Sequence, residues 1–297
     1  MGTSARNDRA WRKGVPMAGD RIGVIDVGGG MRSAYGAGVL DWCLDNGVRF
    51  DYGLGVSAGS ANVTSYLAGQ RGRAARFYTQ YLTRPEYMGL RNAVRTGSYL
   101  GLDYVYGTLM NAGGEDPLDF QALQDSGAMY RIVATNARTG RPVYFGPSSM
   151  RQDDYAPLKA SSCLPVLDRP YVIDGVPYFD GTISDPVPIR QAFADGCGKV
   201  VVILTRPRAF RRSAAHDVAA AALLGAHYPK AGRALAQRAH TYNRELDAAE
   251  RLARQGRVVI VAPESIEGMS TLKEDVQAIE RLYQAGYHDA EQLRALE

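Results

Sequence analysis

Residues 50–67 read Phe50-Asp51-Tyr52-Gly53-Leu54-Gly55-Val56-Ser57-Ala58-Gly59-Ser60, then Ala61-Asn62-Val63-Thr64-Ser65-Tyr66-Leu67. The run from Phe50 to Val56 predicts a buried strand, and Ser60 to Leu67 predicts a helix, with Ser57 at the turn between them. Immediately upstream the pattern is repeated. Arg21 to Val27 (RIGVIDV) predicts a strand, Gly28-Gly29-Gly30 a glycine loop, and Ala34 to Asn46 a helix. Two successive strand, turn, helix units predict an α/β fold around a parallel sheet.

Further along, Tyr130 to Thr135 and Val143 to Phe145 flank Arg138-Thr139-Gly140-Arg141 and predict paired strands. Tyr171 to Ile173 and Val176 to Phe179 flank Asp174-Gly175, a strong hairpin signal, and Asp180 follows the second strand directly. Lys199 to Leu204 and Arg257 to Val261 are further buried-strand candidates. Between them Ala214 to Arg254 reads as helix with a break at Tyr228-Pro229, and Leu272 to Leu296 reads as a terminal helix. The segment from Arg71 to Asp125, rich in Gly, Tyr and Arg, contains no clear strand and is expected to cover the site.

The composition, 45% hydrophobic and 22% charged over 297 residues, is that of a globular protein with material for one large core. A net charge of +4 with dispersed basic residues gives no support to nucleic-acid binding. Cys43, Cys163 and Cys197 have neither metal-ligand nor CxxC spacing and suit a reducing, cytoplasmic compartment. No apolar run is long enough to span a membrane, so any membrane contact is expected to be peripheral. Residues 1–20 are polar and basic without the apolar centre of a secretory signal, and are expected to form a mobile leader.

Gly55, Ser57 and Gly59 have G-x-S-x-G spacing. In that motif the glycines permit a tight strand-to-helix turn that exposes the serine hydroxyl at the carboxyl end of the strand. A serine nucleophile also needs a base and a site for the oxyanion. The amides of Gly28-Gly29-Gly30 could converge on an anion, either a phosphate or the oxyanion of an acyl-transfer intermediate. The Gly-Lys-Ser/Thr of a Walker loop is missing after them, which weakens the phosphate alternative. For the base, His216, His227, His240 and His288 all lie in helical sequence, whereas Asp180-Gly181 follows a strand at a turn able to aim a carboxylate.

Taken in order, GGGMR (28–32), GVSAG (55–59), SSCLP (161–165) and DGT (180–182) resemble the motifs of the patatin-like phospholipases. The resemblance covers about residues 21–204. It implies a three-layer α/β/α fold with a mostly parallel central sheet, a catalytic region over 21–204, and a helical segment with one strand over 205–297 packed on the same domain. It further implies a lipid acyl hydrolase acting on a lipid or ester substrate through a Ser-Asp dyad, without cofactor or metal. Carried over residue by residue, Ser57 is the nucleophile, Asp180 the base, and the amides of Gly28, Gly29 and Gly30 the oxyanion donors. Arg32, Gly55, Gly59, Gly181 and Pro165 occupy supporting positions, Arg32 as electrostatic support for an oxyanion or lipid phosphate, or as a structural group of the turn. Two positions depart from the family pattern: Ser33 stands where glycine follows the basic residue, and Thr182 where Gly or Ala completes the Asp motif. Two alternatives remain open on the sequence: a lipid-binding protein that keeps the fold without the activity, and an α/β-hydrolase esterase that uses a late histidine. The acyl chain is expected to lie against Leu, Val, Tyr and Met side chains of the Tyr99 to Met110 region.

Overall fold

The computed structural model describes residues 19–269, 271–272 and 275–296; most of the expected leader, residues 1–18, lies outside the described residues. Eight strands form one sheet: β1 (Arg21–Asp26), β2 (Tyr52–Val56), β3 (Met129–Asn136), β4 (Pro142–Phe145), β5 (Tyr171–Ile173), β6 (Val176–Asp180), β7 (Cys197–Ile203) and β8 (Val258–Val261). The spatial order is β5-β6-β3-β2-β1-β7-β8, with β4 on β3. The β1-β2, β1-β7, β2-β3 and β7-β8 ladders are parallel, while the pairs β3-β4, β3-β6 and β5-β6 are antiparallel. The predicted hairpins are therefore the antiparallel part of a sheet whose centre is parallel.

Helices cover both faces, because the central strands are apolar on both sides. In β1 and β7, Val24, Val201 and Ile203 belong to one core, whereas Ile25, Val200 and Val202 belong to the other. This is the two-residue period of a strand buried on both faces. On the first face lie α1 (Ala34–Asp45) and α2 (Ala58–Leu67). On the second, α3 (Ile189–Ala194) contributes Ile189 and Ala192, and the long α5 (Pro229–Arg254) contributes Tyr242, Leu246 and Ala249; α5 follows α4 (Val218–His227). The break expected at Tyr228-Pro229 separates these last two, since Pro229 starts a helix more readily than it continues one.

The C-terminal part of the chain shares this core. β8 pairs with β7, and α6 (Val276–Asp289) packs along α1, where the hydroxyls of Tyr35, Tyr283 and Tyr287 donate across the helix pair to Asp289, Asp41 and Asp45 at 2.7, 2.9 and 2.9 Å. Among the described residues no helix is long and apolar enough to cross a membrane.

One feature of the register positions the site. Val133 of β3 pairs with Val56 of β2, and the next residue, Ala134, pairs with Asp180 of β6. Since β4 occupies the opposite edge of β3, β2 and β6 abut end to end along the same edge. Their carboxyl ends meet there. Ser57 and Asp180, separated by more than a hundred residues of sequence, are thus brought together by one strand eight residues long.

Candidate active site

Ser57 adopts φ 55° and ψ −134°, a conformation that side-chain-bearing residues seldom occupy. The strain is held by hydrogen bonds on both sides of the residue. Its N–H donates to Ser161 Oγ at 2.8 Å, and its carbonyl accepts from the Ser60 hydroxyl at 2.6 Å and the Ser60 amide at 2.9 Å. The flanking glycines are required by close approach. A Cβ at Gly55 would lie 2.2 Å from Ser60 Cα, and one at Gly59 would lie 2.4 Å from the Asp26 carbonyl oxygen. The turn therefore nests against both the first turn of α2 and the end of β1.

Asp180 is 1% exposed. Its Oδ1 accepts the Thr182 amide at 2.8 Å, its amide donates to the Cys163 carbonyl at 2.7 Å, and its carbonyl accepts the Thr135 hydroxyl at 2.9 Å. Burial raises its pKa above the ordinary aspartate range, opposed by hydrogen bonds from the Ser57 hydroxyl and from Thr182, and by the positive charge of Arg238. Gly181 lets this turn lie on β3, because a Cβ there would meet the Val133 carbonyl oxygen at 2.4 Å. The loop that follows is anchored to α5: Glu245 accepts the Val187 amide at 2.9 Å, and Tyr144 hydrogen-bonds Asp185 beside it. Burial, followed by the Asp185 carboxyl beside it, raises the pKa of Glu245 above the ordinary glutamate range.

The glycine loop lies beside Ser57, all three residues having positive φ. Gly28 departs from its expected role. Its N–H donates to Asp26 Oδ1 at 2.9 Å, because the acidic residue that ends β1 lies directly behind the loop. Gly29 and Gly30 have no amide acceptor among the described residues, and both line the cleft, as does Ala58 at the N-terminus of α2. Ala58 was not among the sequence-derived donors. The generic G-x-S-x-G geometry, in which the amide after the serine faces the oxyanion, could have suggested it.

Asp26 itself, fully buried, ties the two motifs together. One carboxylate oxygen holds Gly28, and the other accepts Asn62 Nδ2 of α2 at 2.9 Å; Asn62 also donates to the Ser33 carbonyl at 2.8 Å. No cation pairs with Asp26 among the described residues, and burial raises its pKa to about 6 against those two hydrogen bonds. Between about pH 4 and pH 6 the native chain keeps a proton that the unfolded chain has released, so the contribution of Asp26 to stability declines as pH rises through that window. At ~1.4 kcal/mol per pKa unit this amounts to about 3 kcal/mol. Urea unfolding of wild type and Asp26→Asn should therefore show the difference in unfolding free energy moving toward the variant by that amount between pH 4 and pH 7. A constant difference would mean that Asp26 stays charged throughout. In the sequence the only sign of this residue is an acid following the apolar run Ile22 to Ile25.

Ser57 and Asp180 open into a cleft of about 340 Å³ whose lining is of two kinds. Leu100, Leu102, Val105 and Tyr106, from the region expected to receive an acyl chain, contribute apolar surface with Phe77 and Leu164. Pro165 also lines it. Arg32, Arg206, Arg212 and Arg238, with Thr205 and Thr271, line the same cleft. Thr182, one of the two departures from the family pattern, faces the cleft, whereas Ser33 is buried behind the loop. All four histidines are exposed, and none lines the cleft.

The site thus joins a serine on a strained strand-to-helix turn, a buried aspartate and a glycine loop in one cleft of an α/β fold. Comparison with known families then places the chain. A model described as patatin-like phospholipase matches residues 27–193, and one described as a domain of unknown function, DUF6363, matches residues 228–295. The chain belongs to the patatin-like phospholipase family. It is 32% identical over 197 residues to the uncharacterized protein YjjU of Escherichia coli strain K12, an alignment covering 65% of this chain and 54% of YjjU. The chain thus spans about half the length of that relative. Among solved structures, VipD from Legionella pneumophila aligns with a TM-score of 0.48 and 13% identity, over 93% of this chain and 67% of that one.

Proposed function

We propose that the chain is a lipid acyl hydrolase that cleaves carboxylic esters through Ser57 and Asp180. The observation that carries this reading is the placement of a buried carboxylate against the Ser57 hydroxyl in a cleft without a histidine. In the acylation step Asp180 accepts the Ser57 proton as Oγ attacks the acyl carbonyl, and the amides of Gly29, Gly30 and Ala58 receive the oxyanion. Collapse of the tetrahedral intermediate breaks the ester bond, and the departing alkoxide takes the proton from Asp180. A water molecule, deprotonated by Asp180, then attacks the acyl-enzyme; the bond to Ser57 Oγ breaks, Oγ takes the proton back from Asp180, and the carboxylic acid is released. Burial serves this chemistry because it raises the proton affinity of a group that is otherwise too acidic to be an effective base.

The test is labelling by a fluorophosphonate, which captures an activated serine. Stoichiometric labelling of the wild type that is lost in Ser57→Ala supports the reading, and a folded wild type that does not label overturns it.

A pH profile provides a second check. Asp180 must be ionised to accept the proton, and its pKa is raised, so kcat/KM should fall as pH is lowered through a limb lying above the ordinary aspartate value of ~3.9. The limb should be unchanged when His216, His227, His240 and His288 are each replaced by alanine. A limb that disappears with one of these histidines would instead identify that residue as the base, as in the esterase alternative.

A further inference from the structure

The basic lining of the cleft comes mostly from outside the segment matched by the patatin-like model. Arg206 and Arg212 lie in the loop after β7, and Arg238 is on α5; only Arg32 belongs to the glycine-loop motif. The charges are poorly compensated. Asp217 pairs with both Arg212, at 3.2 Å, and Arg238, while neither Arg32 nor Arg206 has a carboxylate partner among the described residues. Arg206 lies over the Phe210 ring, 4.3 Å from its centroid.

Arg32 is the most constrained of the four. It is 6% exposed, its Nη1 donates to the Thr271 hydroxyl at 3.1 Å, and its buried Nε has no partner among the described residues. The guanidinium rests against Gly29, where an added Cβ would stand 3.4 Å from Nη2. Burial, then repulsion from Arg206 and Arg212, lowers the Arg32 pKa to about 10, and burial followed by Arg212 also lowers that of Arg206. Repulsion of this kind between desolvated cations is relieved when an anion binds among them.

We propose that Arg32, Arg206, Arg212 and Arg238 form a headgroup subsite selecting lipid esters that end in an unsubstituted phosphate monoester. The apolar lining takes the acyl chain, Ser57 meets the ester carbonyl, and the guanidinium groups receive the phosphate. Two features favour a monoester over a choline-capped phosphodiester. Its second negative charge matches the surplus of cations, and among the described residues Asp180 is the only carboxylate that lines the cleft and could receive a headgroup cation. Guanidinium groups suit this ligand because their paired N–H donors match phosphate oxygens. The assignment rests on the hydrolase reading for its substrate, but the binding site can be tested apart from it.

Dihexanoyl phosphatidate and dihexanoyl phosphatidylcholine, as soluble monomers, provide the comparison. The wild type should show kcat/KM for phosphatidate roughly tenfold or more above that for phosphatidylcholine, the effect of one or two charge-assisted hydrogen bonds. Arg206→Gln should reduce that ratio about tenfold. Arg211→Gln, at an exposed arginine paired with Asp247 and Glu250, should leave it at the wild-type value. Equal rates on the two lipids in the wild type, or equal ratios in the two variants, would overturn the proposal. Calorimetry on Ser57→Ala separates the subsite from the chemistry: binding of dihexanoyl phosphatidate that weakens on adding Arg206→Gln upholds the subsite even if no ester is cleaved, and undetectable binding refutes it. Inorganic phosphate binding to Ser57→Ala as tightly as phosphatidate would also refute it, since the site would then hold free phosphate instead of a lipid headgroup.

Discussion

Replacing Asp180 with asparagine is expected to abolish ester turnover while leaving the protein as stable as before, or more so. In the proposed mechanism Asp180 is the base and acts as one unit with Ser57, so its loss should reduce kcat on the order of 10,000-fold, comparable to Ser57→Ala. Stability should move the other way. The native pKa of Asp180 is raised, so its ionised form is less favourable in the folded chain than in the unfolded one, and above the native pKa the fold carries that cost in full. Asparagine is nearly isosteric, has no charge to desolvate, and can still accept the Thr182 amide bond that Oδ1 now accepts at 2.8 Å. A higher Tm together with lost turnover is the combination expected of a group retained for chemistry. A lower Tm with retained turnover would show that Asp180 serves the fold and that the base lies elsewhere.

The second large effect is steric and concerns the turn that holds Ser57. Gly59→Ala puts a methyl group 2.4 Å from the Asp26 carbonyl oxygen and 2.6 Å from its Oδ1, and Gly55→Ala puts one 2.2 Å from Ser60 Cα. The obstructing atoms are backbone or a buried carboxylate already fixed by Gly28 and Asn62, so none can swing aside. Each substitution should cost about 3 kcal/mol, the upper part of the range for overpacking, and eliminate fluorophosphonate labelling. Gly47→Ala is the matched control. Gly47 has φ 73° with nothing within 4 Å of an added Cβ, so the change should cost only about 1 kcal/mol of left-handed strain and leave labelling intact. Chemical denaturation of the three variants measures both costs. A cost for Gly59→Ala no larger than that for Gly47→Ala would mean that the turn relaxes around the added methyl group and that close approach does not require the glycine.

Much of this site is readable from local patterns because it is built from local patterns. Strand, glycine turn and helix succeed one another twice within about fifty residues, and the Asp174-Gly175 hairpin delivers Asp180 to the end of a strand. These features depend on side-chain period and turn chemistry, which neighbouring residues specify. Gly28 shows where local reading stops. Three consecutive glycines look equivalent as donors, and only the position of the Asp26 carboxylate directs one of the three amides away from the cleft.

Local sequence patterns thus specify the α/β class, the turn that carries Ser57, and the strand end that carries Asp180. Tertiary structure alone decided that they meet, through the consecutive pairing of Val133 with Val56 and Ala134 with Asp180. It also decided what surrounds them: the Ser161 hydroxyl beneath the turn, Asp26 between the two glycine motifs, and the arginines from the loop after β7 and from α5. The physical reason is the same in each case. Periodicity records which face of an element is buried, but a hydrogen bond or an uncompensated charge between distant residues exists only once packing has set their distance and removed the water between them.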